Sequence, residues 1–255
     1  MKVTIITAVY NGAEHIKSCI ESVLNQNYPN IEYILVDGAS KDNTLSIINS
    51  FGNKIAKVIS EPDRGMYDAM NKGLRVATGD IVGILNSDDF YANNKIISKV
   101  VEGFKRSGAD SLYADIAFVL KDNLNKTVRY YSSGNFKPWK FRFGYMPAHP
   151  SFFLKREIYE KYGHFKSDYK LCADFDLIVR LYHTHKISYV YLPEMIVKMR
   201  MGGKSNQSVA NIMLLNREIL RGCLENGIKT NIIFIYLKYF TKIFELLFNK
   251  KGKLE

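Results

Sequence analysis

Apolar residues run along this chain in two rhythms. Val3 to Val9 is a continuous, largely β-branched run, as in a strand buried on both faces of a parallel sheet, and it predicts a central first strand. After the Tyr10-Asn11-Gly12 turn, Ile16, Cys19, Ile20, Val23 and Leu24 recur at helical spacing and lay one apolar stripe along a helix. The alternation repeats. Ile31 to Val36 reads as a strand, Asp42 to Ser50 as a helix, Ala56 to Ile59 as a strand, Met66 to Ala77 as a helix and Ile81 to Leu85 as a fourth strand. The pattern predicts an α/β fold, a mostly parallel sheet flanked by helices. A helix from about Lys95 to Arg106 and strands around Ser111 to Leu120 and Lys126 to Tyr131 follow, after which the order is less regular.

Two later stretches break the alternation. Tyr130, Tyr131, Phe136, Trp139, Phe141, Phe143 and Tyr145 cluster within a short span, where their faces can line a sugar site or wrap the sheet edge as core. From Ile232 to Phe248 nearly every residue is apolar or aromatic, and Lys238, Thr241, Lys242 and Glu245 share one narrow stripe. A membrane span needs roughly 20 mostly uncharged residues, so this amphipathic helical tail is expected to lie in a membrane interface rather than cross it. Lys250, Lys251 and Lys253 add attraction to an anionic leaflet. A helix packed on its own domain or on a homodimer partner is the competing reading.

Composition narrows the class. The 255 residues, 47% hydrophobic, with only six prolines and seventeen glycines, exclude disorder and low-complexity architectures. Cys19, Cys172 and Cys223 form no CxxC pair, which argues against structural zinc and a disulfide framework and for a reducing, cytoplasmic setting. The apolar N-terminal run is too short for a signal peptide. The net charge of +11 draws anionic partners, but the lysines are scattered and no nucleic-acid-binding motif occurs, so no nucleic acid is expected.

Candidate chemistry collects where strands stop, because parallel α/β sheets bind ligands beyond the carboxyl ends of their strands. Asp37 closes the second strand in ILVDGASKDNT and can bond a base or ribose, or simply start the turn. Asn86-Ser87-Asp88-Asp89 closes the fourth. Adjacent carboxylates at a buried strand end repel, a cost a cation offsets, and oxygen ligands select Mn²⁺ or Mg²⁺. A helix N-cap before Asn93 is the bland alternative. In Ala173-Asp174-Phe175-Asp176, Asp174 stands at the start of a helix whose positive end favours the ionised carboxylate, ready to accept a proton.

TAVYNG, VDGASKDNT, EPDRGMYDAMNKG, LNSDD and ADFDLIVRL, in this order and spacing, resemble the family 2 glycosyltransferases of the GT-A fold, over roughly residues 1 to 205. The resemblance implies a Rossmann-like GT-A catalytic domain at 1–205, with a nucleotide-sugar-binding half at 1–92 and an acceptor-binding half at 93–205, and the amphipathic pattern of the tail adds a membrane-associating helical extension at 206–255. It implies that Tyr10 and Asp37 hold the base, that Asp63, Arg64, Asp68 and Lys72 line the nucleotide pocket, and that Asp88 is the metal ligand with Asp89 a second candidate. Asn86 replaces the first acidic residue of the family's DxD motif, and Ala173 the usual glutamate of its ED motif. Asp174 takes the catalytic-base role. His149 in MPAHPSFF, and Arg200 with Lys204 in KMRMGGKS, match positions near the donor diphosphate and acceptor, Arg200 as a bidentate grip. The resemblance therefore implies a metal-dependent inverting transferase moving a hexose from a UDP-sugar to an undecaprenyl diphosphate-linked sugar at the inner membrane surface, in O-antigen or capsule synthesis. A sugar-phosphate nucleotidyltransferase and an inactive scaffold of the same fold are the alternatives. The former lacks its glycine-rich basic loop after Val9.

Overall fold

In the computed structural model, which describes residues 1–202 and 208–239, the elements predicted up to residue 85 form within two residues of their expected bounds. They are β1 (Val3–Val9), α1 (Ile16–Leu24), β2 (Ile31–Asp37), α2 (Thr44–Asn49), β3 (Lys57–Ser60), α3 (Met66–Val76) and β4 (Ile81–Ile84). The apolar runs are continuous because alternate residues serve opposite faces of the sheet. Ile6, Ile34 and Val36 enter the core under α3, while Ile5, Tyr33 and Leu35 enter the core under α1. Each helix covers its face with the stripe read in the sequence, as in α1, where Ile16, Cys19, Ile20 and Val23 are buried.

The second half extends the same sheet. It contributes β5 (Phe90–Tyr91), α4 (Ile96–Ser107), β6 (Ser111–Val119), β7 (Thr127–Tyr131), β8 (Phe153–Lys155), α5 (Arg156–Tyr162), α6 (Ala173–Val179), β9 (Tyr189–Arg200) and α7 (Val209–Glu225). The nine strands run in the order β3-β2-β1-β4-β8-β6-β9-β5, with β7 beside β6. β1 lies between β2 and β4, parallel to both, whereas β8 joins β4 and β6 antiparallel. The sheet is thus parallel from β3 to β4 and mixed beyond it, as expected of a GT-A fold. Cys19, Cys172 and Cys223 are buried and free, in keeping with the absence of a disulfide framework.

The two later stretches are resolved in part. The stretch expected as an appended tail begins as core: Ile219 and Cys223 of α7 are buried with Phe175 and Leu177 of α6. The aromatic cluster divides by position, with Phe136 and Phe141 buried and Trp139 and Tyr130 exposed. A further helix, α8, spans 232–239, and no helix among the described residues is long and apolar enough to cross a membrane. Lys204, the rest of the Ile232–Phe248 segment with Thr241, Lys242 and Glu245, and the terminal lysines lie outside the described residues.

Candidate active site

The parallel register aligns the ends of three strands. Val9 of β1 pairs with Asp37 of β2, and Asp37 pairs with Ser60 of β3, while β4 runs beside β1 and ends at Ile84 just before Asn86. One edge of the sheet therefore gathers Tyr10, Asp37, the loop after Ser60 and the Asn86–Asp89 turn, at the place where strand order reverses direction from β1. Tyr10 is half exposed there, at 50%. A methyl group on Gly38 would meet Asp63 Oδ2 at 2.2 Å and Tyr10 Cδ2 at 3.5 Å, so Gly38 leaves the space in which Tyr10 and Asp63 converge.

The residues expected around the nucleotide separate into open and structural ones. Asp37 has no exposed surface, and its carboxylate accepts the Ser60 hydroxyl at 2.7 Å and the Ser40 N–H at 3.2 Å. It shapes the turn instead of lying open to a base. Asp63 anchors the loop before α3 by accepting the Gly65 N–H at 2.8 Å. Asp68 accepts the Arg64 N–H at 3.1 Å, and Lys72 bridges Glu61 at 2.9 Å and donates to the Pro62 carbonyl at 2.6 Å. Both fix that loop from α3. The Arg64 side chain is 82% exposed, and its guanidinium lies 3.7 Å from Asp68 Oδ1.

The LNSDD turn is built in the same way. Asp89 is buried and accepts the Asn86 amide at 2.9 Å. Burial and the Asp88 charge push its carboxyl up to about 8, against the hydrogen bond from Asn86 and the attraction of Arg200. Arg200, expected to grip a diphosphate, is also buried: its guanidinium donates to the Asp88 carbonyl, donates to Ser18 Oγ at 2.7 Å, and lies 4.9 Å from the Phe90 ring centre. The cause is strand pairing. Phe90 of β5 pairs with Lys198 of β9, which carries Arg200, the last residue of β9, beneath the turn. Asp88 is left half-buried at the turn, and helix α4 begins only at Ile96, so the turn is no N-cap.

Asp174 sits in the first turn of α6 on the far wall of the cleft. Its Oδ1 accepts the Tyr67 hydroxyl at 3.0 Å and its Oδ2 lies 3.0 Å from His149 Nδ1. Burial and the Asp174 charge raise the Tyr67 phenol well above its ordinary range, so it remains a donor. Asn86, His149 and Asp174 line one cavity with Tyr67, Met66 and Phe152, and this cavity joins the end of β4 to the carboxylate. Among the described residues no three His, Cys, Asp or Glu side chains gather as a cation cage. Asp88 is the partly exposed carboxylate of this turn, and a carboxylate is a hard oxygen donor.

Two positioning residues escaped the sequence reading. Glu218 of α7 is 7% exposed and accepts the backbone N–H groups of Lys170, Leu171 and Cys172 at 2.8, 2.8 and 2.9 Å. It fixes the entry to α6 from outside the motif that lacks its usual glutamate at Ala173. Asn71 of α3 pairs with both backbone groups of Phe165, at 2.8 and 3.1 Å. Nothing in the local sequence of either residue marks a partner 46 to 94 positions away.

The fold and cleft define a GT-A type of protein. The chain belongs to glycosyl transferase family 2, whose family model matches residues 4–163. It is 26% identical over 211 residues to a PGL/p-HBAD biosynthesis glycosyltransferase of Mycobacterium bovis, covering 81% of this chain and 80% of that one. An uncharacterized glycosyltransferase of Rickettsia typhi is 43% identical over 94 residues, 37% of this chain and 29% of the other. Among solved structures, S. aureus TarS in complex with UDP superposes with a TM-score of 0.67 at 18% identity, over 90% of this chain and 67% of that chain. A mannosyltransferase of Pyrobaculum calidifontis in complex with GDP-Man and Mn²⁺ gives 0.61 at 18% identity, over 96% and 80%. At that identity these likenesses concern the fold.

Proposed function

We propose that the protein is an inverting hexosyltransferase that moves a sugar from a UDP-sugar to a hydroxyl of a lipid-diphosphate-linked sugar, for surface polysaccharide such as O-antigen or capsule. The observation that carries this reading is the cavity shared by Asn86 and Asp174, with the Asp174 carboxylate fixed 3.0 Å from both Tyr67 and His149. Tyr10 stacks beside the base, Asp63 bonds its edge and Arg64 reaches the phosphates. TarS, a relative in fold, is known in complexes with UDP and with UDP-GlcNAc, which supports a uridine donor.

Asp174 accepts the acceptor's hydroxyl proton as that oxygen attacks the anomeric carbon, and the bond from that carbon to the nucleotide diphosphate breaks on the opposite face. A carboxylate is a weak base for an alcohol, so the proton moves late. Tyr67 and His149 hold the carboxylate in line, and positioning supplies much of the rate. Asp88 would hold Mn²⁺ or Mg²⁺ together with the donor's own phosphate oxygens, and that ion, when bound, neutralises charge on the departing diphosphate. Arg200 acts one layer back, by holding the Asp88 carbonyl.

The test is Asp174→Asn, an isosteric change that abolishes proton acceptance. Transfer is expected to fall by at least two orders of magnitude, while UDP binding by calorimetry stays within a factor of about three of wild type, a margin set by the small effect of distant, non-contacting changes. Undiminished transfer removes Asp174 from the base role. Release of pyrophosphate from a sugar phosphate and UTP would favour the nucleotidyltransferase, and absence of any UDP-sugar binding the scaffold.

A further inference from the structure

The start of the tail leaves a largely apolar side uncovered. In α8, Ile235 and Lys238 face the domain at 0% and 5% exposure, whereas Ile232, Ile233, Tyr236 and Leu237 stand at 37%, 69%, 38% and 38%. Residues in an α-helix advance by about 100° each, so the two sets lie on opposite sides. An ordinary surface helix shows its lysine and covers its large apolar residues, whereas here Lys238 is covered with Ile235 while Ile232, Ile233 and Leu237 stand in the open.

The exposed face does not end with α8. Phe234 meets Phe143 edge-on at 5.5 Å, and Phe143 meets Trp139 edge-on at 6.1 Å. The Arg142 guanidinium lies over both Phe143 and Phe234, at 5.5 and 4.9 Å, and the Thr230 hydroxyl donates to the Arg142 carbonyl at 2.5 Å. These contacts weld the 138–143 turn to α8. Trp139 is 59% exposed, Lys140 lies over its ring at 5.8 Å, and Lys137 and Arg142 are exposed beside it.

An exposed indole, an apolar helix face and three cations at its rim match the zone between lipid headgroups and acyl chains, where amphipathic side chains bury their apolar bodies and leave charge among phosphates. A second copy of the chain fits less well, because an isologous contact would set the cationic rim against itself. The surface also borders the site: Phe141 of the same turn is buried edge-on against Phe175 at 5.9 Å, next in sequence to Asp174.

We propose that α8 and the 138–143 turn form one docking face for an anionic lipid bilayer, with the Asp174 cavity held beside the headgroups. The lipid contact stands on this surface alone; that it presents an acceptor to Asp174 rests on the lipid-linked acceptor of the preceding reading.

The experiment uses the full chain and flotation with vesicles of phosphatidylcholine alone or mixed with phosphatidylglycerol. Wild type is expected to float with the anionic vesicles, less so at high salt. Trp139→Ala with Ile233→Asp should weaken binding by tenfold or more, and Lys140→Glu by about tenfold, while UDP binding stays unchanged in each. Vesicle binding that is indifferent to these substitutions, or no binding by wild type, overturns the proposal, as does loss of a dimer in light scattering as the variants' only effect. Undiminished UDP-sugar transfer by Asp174→Asn would overturn the preceding reading and leave the vesicle result intact, so the two readings fail separately.

Discussion

Glu218 offers the sharpest test of how the site is held. Glu218→Ala removes the acceptor for three N–H groups at the entry to α6. Lys170 is exposed and Leu171 partly so, and water can replace the carboxylate at those two, but Cys172 is buried and its N–H is left without a partner. A buried unsatisfied donor costs about 1–3 kcal/mol, and exchanging two charge-assisted bonds for water adds a smaller amount, so the loss is expected at about 2–4 kcal/mol. For a domain of this size that corresponds to a melting temperature lower by about 5–15 °C. Glu218→Gln keeps one accepting oxygen but turns an amide N–H₂ toward donors, and should cost about half as much. Urea unfolding gives the stability. Turnover measured well below the unfolding midpoint gives the second readout, because a displacement of about 1 Å at Asp174 lowers the rate by up to about 100-fold. If Glu218→Ala unfolds at the wild-type midpoint and turns over at the wild-type rate, the positioning argument is refuted.

Other consequences are equally direct. Gly38→Ala places a methyl 2.2 Å from Asp63 Oδ2, which a side-chain rotation relieves, so stability should change by less than about 1 kcal/mol while the donor KM rises several-fold. His149→Asn, which retains a donor for Asp174 Oδ2, should keep more turnover than His149→Ala; equal losses would separate His149 from the holding of Asp174. Burial raises the Glu32 carboxyl, but hydrogen bonds from Lys2, Thr4 and Thr78 outweigh it and hold it at about 2, below the ordinary 4.5. A folded-state value below the unfolded one means stability fully present above pH 4.5 and lost as pH falls toward 2, up to about 3 kcal/mol. Glu32→Gln should therefore narrow the difference in urea midpoint between pH 5 and pH 3, and an unchanged difference would contradict the assignment.

What was legible in the sequence follows the range of the interactions. Strands β1, β2 and β4 were readable because a strand buried on both faces leaves an unbroken apolar run, and α1 because its stripe is local. The placement of Asp174 in the first turn of a helix was readable from the apolar face that follows it. Arg200 and Asp89 were legible as functional residues only in kind: their burial depends on β5 pairing with β9, more than one hundred residues apart, which no local pattern encodes. Glu218 sits in an amphipathic helix where a glutamate reads as surface, and only the packing of α7 on α6 turns it inward. The polar stripe of the tail was visible, but which side meets the domain is decided by Ile235 and Lys238 docking beside Gly144.

The pairing of Asn71 with Phe165, and of Tyr67 with Asp174, bears on how such a protein can be re-engineered. Both clamps come from α3, inside the segment proposed to bind the donor, yet both grip the segment proposed to remove the proton. A graft that exchanges residues 1–92 to change the sugar nucleotide would swap these clamps too. Chimeras should succeed only when a tyrosine and an asparagine travel with the graft at positions 67 and 71, whichever nucleotide the new half prefers.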